Sequence, residues 1–163
     1  MNQPAAEIFW PADFYLSTRP VRVHNQLAMK VPAAQVWAWL IRAPLWPIWY
    51  PNSKNVRIVQ GDPDDLAKGS RFRWRTFSVG IRSEVQHCEA EKQIGWDARG
   101  FGVYAYHAWL IRETAQGCHV FTEERQHGVG PRVQALLMPQ RMSSGHQMWL
   151  ERLSNCAGSG MPG

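Results

Sequence analysis

Hydrophobic positions along the chain change their period twice. Between residues 33 and 43 they recur at helical spacing, as Val36, Trp37 and Leu40 show. From residue 55 to residue 126 they alternate with polar positions, which is typical of half-buried β-strands. After residue 131 the helical spacing returns. Because the strands follow one another and helices flank them, this order predicts an α+β fold with an antiparallel sheet.

The last region predicts a long helix over residues 131–156, with a kink or break near Met138. Pro139 removes one backbone hydrogen bond and clashes one turn back, while Pro131 suits a helix start and Gly158 a stop. Unbroken, the element would span about 39 Å at about 1.5 Å per residue. We therefore expect the sheet to curve around this helix and leave a pocket between them. The apolar stripe beyond the proline comprises Met142, Gly145, Trp149, Leu153 and Cys156.

A first strand, two short helices and a meander of strands are predicted before this helix. The first strand covers residues 15–31, one helix opens at Pro32, and a short helical turn falls within residues 44–51. The clearest strand, residues 71–77, places Phe72 and Trp74 on one face and three arginines on the other. Such an arginine row is either an anion site or, as the commoner case, the solvated face of a sheet.

Two tight turns determine which side chains share a face of the sheet. A turn within residues 77–80, centred on 78–79 or on 79–80, puts Ile81, Ser83, Val85 and His87 on the face of Trp74.

A second turn, near residues 115–117, pairs odd positions of one strand with even positions of the next. His107 then lies opposite Glu124, Trp109 opposite Thr122, and Ile111 opposite Val120. A three-residue loop would undo this register.

The two ends of the chain lack any hydrophobic period. Residues 1–13 are predicted to form an N-terminal arm held by Phe9 and Trp10, and residues 157–163 a flexible tail. A length of 163 residues suits a single domain over 1–163. A chain of this size can bury about 70% of the surface that its unfolded form exposes.

Charge and cysteine content narrow the class of protein. The net charge of +5 is not gathered into a Lys/Arg block, so no nucleic-acid partner is predicted. Three cysteines without a close pair fit a reducing compartment. The sequence has no apolar run of transmembrane length and no signal pattern, so we predict a cytoplasmic protein. Whether two copies pair through a sheet edge as a homodimer stays open.

Several short motifs follow one another along the chain. They are Val36-Trp37, Trp46-Pro47, Trp49-Tyr50-Pro51, residues 69–74, His107-Ala108-Trp109-Leu110, residues 117–120, Glu123-Glu124 and residues 149–153. In this order and spacing they resemble the polyketide cyclase/dehydrase group of the START/Bet v 1-like (SRPBCC) superfamily, and the resemblance covers residues 16–156. It implies a helix-grip fold, in which a curved seven-stranded antiparallel sheet surrounds a C-terminal helix and encloses a hydrophobic cavity. Cys118 departs from the family pattern, where threonine is usual.

The superfamily contains lipid carriers, hormone-binding proteins and aromatase/cyclases, so the resemblance supplies no common catalytic set. The inward-facing polar pair, His107 and Glu124, is a candidate general acid and base. It is equally well explained as a structural pair, because a buried charge needs a partner. The predicted cavity lining is Trp74, Ser83, Val85, His87, Trp96, Trp109, Thr122, Met138, Met142 and Trp149, with Trp46 and Trp49 at the mouth.

Three functions remain open from the sequence. The first is binding of a small hydrophobic or aromatic molecule in the cavity. The second is a cyclase, dehydrase or aromatase that uses His107 and Glu124 for proton transfer. The third is a partner-binding module built on exposed aromatic rings around Trp46 and Trp49. No metal or cofactor is predicted, because Cys-x-x-Cys, His-x-x-x-His and phosphate-loop patterns are absent from the sequence.

Overall fold

A computed structural model describes residues 7–15 and 21–163. Seven antiparallel strands form one sheet in the order β1-β7-β6-β5-β4-β3-β2, so β1 and β2 are its edges. This confirms the predicted α+β helix-grip architecture. The strands are β1 (Val21–Met29), β2 (Lys54–Gln60), β3 (Arg71–Thr76), β4 (Val79–Glu89), β5 (Gln93–Gly100), β6 (Val103–Thr114) and β7 (Gly117–His127). The helices are α1 (Ala12–Tyr15), α2 (Ala33–Ile41), α3 (Trp46–Trp49), α4 (Val129–Leu137) and α5 (Arg141–Gly158).

The predicted C-terminal helix is two helices, separated at residues 138–140. The break follows from Pro139, which has no amide hydrogen to donate into the preceding turn. Helix α5 packs against the sheet and α2, and it ends at Gly158, two residues beyond the predicted helix. Its buried face is wider than the predicted stripe, because it includes three residues outside that stripe, His146, Leu150 and Ala157. A stripe of at least 100° is usual for a helix that packs on a globular core.

The interior is filled mainly by tryptophan rings that meet Trp149 of α5. Its indole lies 5.2 Å from Trp46, 5.9 Å from Trp74 and 5.1 Å from Trp109, measured between ring centroids. Trp46 is fully buried, and its Nε1 donates to the Leu40 carbonyl at 3.0 Å. The proline-rich stretch around α3 therefore closes the core.

The outer face of the sheet is covered over part of its area by the N-terminal segment. Ile8, Trp10 and Phe14 are buried against an outward cluster on β6 and β7 that includes Tyr106 and Phe121. The N-terminal segment, predicted as an arm held by Phe9 and Trp10, therefore packs on the sheet through Ile8, Trp10 and Phe14. Tyr15, the first residue of the predicted first strand, belongs to α1 instead, and β1 is described from Val21. Residues 16–20 of the predicted strand lie outside the described residues.

The predicted register of the β6–β7 hairpin is present. His107 pairs with Glu124, Trp109 with Thr122 and Ile111 with Val120. The β3–β4 turn is centred on Phe77 and Ser78, one residue earlier than predicted, with φ of 47° and 70°. This shift preserves the parity of pairing, so the face assignment of Phe72 and Trp74 holds.

The C-terminal segment predicted as a flexible tail makes specific contacts. Helix α5 continues two residues into it, to Gly158. The Gly160 carbonyl accepts a hydrogen bond from Trp39 Nε1 at 2.7 Å, and the Gly163 carbonyl accepts one from Arg42 at 2.9 Å. Among the described residues, no helix has the length and apolar character that spanning a bilayer requires.

The buried N-terminal segment leads to a stability prediction. Phe14 has no exposed surface, so Phe14→Ala should lower the free energy of unfolding by about 3–5 kcal/mol in urea titrations. Phe101 is fully exposed, and Phe101→Ala should change that free energy by less than about 0.5 kcal/mol. Equal effects of the two substitutions would contradict the packing of residues 8–14 on the sheet.

Candidate functional site

A cavity of about 140 Å³ lies between the inner face of β3–β7 and the first half of α5. Phe77 and Phe101, on two turns of the sheet, stand at its open side, with Phe77 half-buried and Phe101 exposed. A Cβ at Gly145 would lie 2.4 Å from the Phe77 ring, so only glycine lets this ring approach α5. The lining residues are Trp74, Thr76, Phe77, Val79, Ile81, Trp96, Ala98, Phe101, Val103, Ala105, His107, Glu124, Gln126, Gly130, Pro131, Met142, His146 and Trp149.

Three titratable side chains meet in the wall of this cavity. Glu124 Oε2 lies 3.0 Å from His146 Nε2 and 3.5 Å from His107 Nδ1. Adjacent strands β6 and β7 supply His107 and Glu124 as a cross-strand pair, and α5 supplies His146. All three are almost completely buried, so the sheet and the helix together shield the carboxylate from water. We call these residues the His–Glu–His cluster.

Neighbouring groups fix the orientation of the cluster. His107 Nε2 lies 2.6 Å from Thr122 Oγ1, and Gln126 Nε2 donates to Glu124 Oε1 at 2.6 Å. The two imidazole rings are stacked, with centroids 4.7 Å apart and planes 11° from parallel. Glu124 therefore accepts a hydrogen bond on each oxygen, which compensates for the burial of its charge.

Burial and hydrogen bonding shift two pKa values in this cluster. Burial, reinforced by the neighbouring His146, lowers the pKa of His107 to about 3 although Glu124 opposes that shift, so its imidazole is neutral at physiological pH. Burial favours the neutral acid form of Glu124, but the hydrogen bond from His146 leads the interactions that outweigh it and lower its pKa to about 2. Because His107 is uncharged, we attribute the ionisation of Glu124 chiefly to the hydrogen bonds from His146 and Gln126.

Two histidines and one carboxylate are also a donor set that suits zinc or iron. The three donor atoms lie within 4.8 Å of one another. However, the in-plane lone pairs of two nearly parallel rings do not converge on one point. His146 Nδ1 also has no partner among the described residues, whereas a ligating histidine usually donates its other ring N–H. The present geometry is therefore that of a hydrogen-bonded cluster.

The family follows from a comparison of the whole chain with known proteins. The family model for polyketide cyclase / dehydrase and lipid transport matches residues 20–155. The chain belongs to this family. None of the curated proteins compared with it matches by sequence.

Solved structures share the fold of this chain. A hypothetical protein of Helicobacter pylori, jhp0584, is 26% identical with a TM-score of 0.86, covering 96% of this chain and 97% of its own. The Zhui aromatase/cyclase of Streptomyces sp. R1128 is 12% identical with a TM-score of 0.73, over 86% and 94% of the two chains. Ara h 8.0201 is 11% identical with a TM-score of 0.64, over 86% and 99%.

Six of the residues that the sequence assigned to the site border the cavity of this family member: Trp74, Trp96, His107, Glu124, Met142 and Trp149. Four others point inward but lie in the packed core outside the cavity: Ser83, Val85, Trp109 and Thr122. Ser83 accepts a hydrogen bond from Trp74 Nε1 at 3.1 Å, and Thr122 holds His107. Their burial is the predicted one, but they do not line the cavity.

Four predicted site residues lie elsewhere. A β-bulge between Val85 and His87 turns His87 to the outer face, where it stacks on Phe9 at 4.7 Å. Met138 falls in the break between α4 and α5 and is exposed.

Trp46 and Trp49, predicted at the cavity mouth, are buried. They therefore offer no exposed aromatic patch to a partner, which contradicts the third function considered from the sequence.

His146 is the residue of the site that the sequence reasoning missed. The signal was available, because His146 lies three residues before Trp149 and therefore on the same side of the helix. The apolar stripe predicted for this helix did not include it, because histidine is not a strongly hydrophobic residue. Phe77 and Phe101 were read only as turn residues, and nothing in their spacing shows that they stand beside the cavity.

The cluster predicts how acid affects stability. His107 and Glu124 bind protons more weakly in the folded state than in the unfolded state. The contribution of His107 to the free energy of unfolding is therefore present above pH 6.5 and lost as the pH falls towards about 3. The contribution of Glu124 is present above pH 4.5 and lost towards about 2. Between pH 6.5 and 4.5 His107 contributes a slope of up to about 1.4 kcal/mol per pH unit, beside contributions from His87 and His119, whose pKa values burial also lowers. His107→Gln should therefore reduce this slope in urea-unfolding free energies.

The control for this measurement is Gln116→Ala, which removes no titratable group and lies in the exposed turn between β6 and β7. It should leave the pH dependence close to that of the wild type. Parallel curves for the wild type and His107→Gln over this pH range would show that the His107 imidazole is not held neutral by burial.

Proposed function

We propose that this protein binds a small aromatic or apolar molecule that carries one polar group, in the cavity between the sheet and α5. The proposal rests on one observation: aromatic rings and buried polar atoms without hydrogen-bond partners occur in the lining of the same cavity. Nε1 of Trp96, Nε1 of Trp149 and Nδ1 of His146 have no hydrogen-bond partner among the described residues. All three belong to residues that line the cavity. Buried polar groups are normally satisfied, so a ligand hydroxyl would complete them, since its oxygen accepts from an indole Nε1–H and its O–H donates to the imidazole Nδ1.

The size of the cavity limits the ligand. A buried apolar cavity of about 150 Å³ is large enough to hold a benzene ring. The volume here, about 140 Å³, therefore suits one ring inside the protein. A longer molecule would have to extend past Phe77 and Phe101, which lie on the open side. The fold shared with the Zhui aromatase/cyclase does not identify the ligand.

Phenol is the simplest probe of this proposal. We expect phenol to bind in isothermal titration calorimetry, since its ring fits the volume and its hydroxyl both donates and accepts. Ala98 is buried and lines the cavity, so Ala98→Phe should fill the space and weaken binding by about tenfold or more, which is about 1.4 kcal/mol.

The matched control is Ala115→Phe, in the exposed turn between β6 and β7, which should bind phenol like the wild type. Binding that survives Ala98→Phe would place the phenol outside the cavity and refute the proposal.

The second candidate function is a dehydration catalysed by the His–Glu–His cluster. The observation that favours it is the arrangement of His146, whose Nε2 is held by Glu124 while its Nδ1 is left free. A carboxylate that orients one ring nitrogen leaves the other to act as base and then acid. In a β-hydroxy ketone, His146 would remove the proton next to the carbonyl. It would then return that proton to the departing hydroxyl, which leaves as water.

A phenyl-substituted β-hydroxy ketone tests this activity, because its dehydration creates a conjugated product that absorbs in the near ultraviolet. If the protein catalyses the reaction, Glu124→Gln should lower kcat by about 10²–10⁴-fold with little change in KM. Thr76→Val, which alters a different polar residue of the cavity, should change kcat far less. No conversion by the wild type, with phenol binding intact, would leave the binding function and exclude this activity.

A cytoplasmic location is part of the same proposal. It is supported by the cysteines, since Cys88, Cys118 and Cys156 are all free thiols and reduced cysteines are typical of the cytosol.

A further inference from the structure

Four arginines form a continuous row across the outer face of the sheet. Arg57 on β2 pairs with Arg73 on β3, Arg73 pairs with Arg82 on β4, and Arg82 pairs with Arg99 on β5. Directly paired residues point to the same side of a sheet, so the four side chains stand next to one another, and all are exposed. We propose that this row, the arginine ladder, binds an acidic segment of a partner protein. The proposal is independent of the cavity on the opposite face.

Three rungs of the ladder have no acidic partner in the described part of the chain. Arg99 is paired with Asp97 at 3.1 Å. The two nearest carboxylates are thus in use, since Glu84 pairs with Arg71 at 2.8 Å. No ion pair involves Arg57, Arg73 or Arg82 among residues 7–15 and 21–163. Residues 1–6 and 16–20 contain no aspartate or glutamate in their sequence, so they have no acidic side chain to supply.

A second row of positive charge lies beside the first. Lys54 on β2 pairs with Arg75 on β3, and both are exposed. Paired strands lie about 4.8 Å apart, and same-face positions on one strand about 6.7 Å apart. Five cations without a carboxylate partner are therefore gathered within a patch roughly 10 Å by 10 Å. Like charges directly opposite one another destabilise a sheet, and a bound anion would relieve that repulsion.

The N-terminal segment and the arginine ladder occupy different parts of the outer face of the sheet. Ile8, Trp10 and Phe14 cover the outer side of β6 and β7, so the N-terminal segment leaves the arginine ladder exposed on β2–β5.

Arginine chemistry selects the kind of partner. The guanidinium fork matches a carboxylate with two parallel hydrogen bonds, so glutamate and aspartate side chains on a partner segment fit each unpaired rung. Sites for single-stranded nucleic acid add aromatic rings on which bases stack. No aromatic residue occupies the outward positions 57, 59, 71, 73, 75, 82 and 84, and the Tyr104 ring, beside Arg99, is packed against Phe14 and the Arg99 guanidinium. A protein segment rich in carboxylates is therefore favoured over nucleic acid.

The test uses a fluorescein-labelled oligoglutamate peptide and fluorescence anisotropy at physiological ionic strength, where diffuse surface attraction is screened beyond about 8 Å. We expect binding by the wild type and binding weaker by about tenfold or more, about 1.4 kcal/mol, in the double variant Arg73→Gln/Arg82→Gln. The charge-matched control is Lys30→Gln/Arg152→Gln, which removes two exposed cations away from the arginine ladder. It should weaken binding less than about threefold, or 0.7 kcal/mol.

Each other outcome overturns the proposal. Equal loss in both double variants would show that net charge alone attracts the peptide. No binding by the wild type would show that the arginine ladder is an ordinary solvated face. Tighter binding of an oligothymidylate strand, or of vesicles of phosphatidylcholine with phosphatidylserine, that the same double variant abolishes would assign the surface to nucleic acid or to a membrane. Thermal unfolding of each variant checks its fold, and Arg57→Gln on the edge strand replaces the double variant if that one unfolds.

Discussion

Trp149 is the point at which α5 meets the sheet, and the arrangement of the interior follows from its packing. Its indole stacks on Tyr50 at 4.5 Å and meets three other tryptophans from the sheet and α3 within 5.9 Å. Rings of this size fill the space around the centre of α5 completely. Towards the first turns of α5 the tryptophans give way to smaller side chains, Ala98 and Ala105 among them, and the cavity opens there. The cavity is thus the part of the interior that the indoles do not fill.

The same packing creates the electrostatic character of the site. Glu124 is on the inner face of β7, where α5 and the tryptophans exclude water. A carboxylate in such a place remains charged only if donors replace its hydration. His146 and Gln126 provide them, while His107 is held neutral by its burial. A purely apolar cavity would not need a buried charge, whose desolvation costs free energy. This is the physical reason for relating the cluster to the proposed ligand.

The fold could be predicted because its determinants are local or periodic. Turn parity alone set His107 opposite Glu124, and Pro139 alone separated α4 from α5. The site could be predicted only in part, because a cavity depends on where packing fails. The bulge after Val85, which turns His87 outward, leaves no mark in the alternation of residues. His146 was missed because histidine ranks as polar, although helical geometry puts it beside Trp149 on the buried face.

The central claim is that a neutral His107 beside an ionised Glu124 forms part of the wall of a ligand site. Nitrogen-15 NMR of the imidazole rings tests it most directly, recorded across pH with and without phenol. We predict that the His107 nitrogens keep the shifts of a neutral ring below pH 4.5, and that phenol moves the signals of His107 and His146 but not those of His24. Protonation of His107 near pH 6.5, with no response to phenol, would contradict the account.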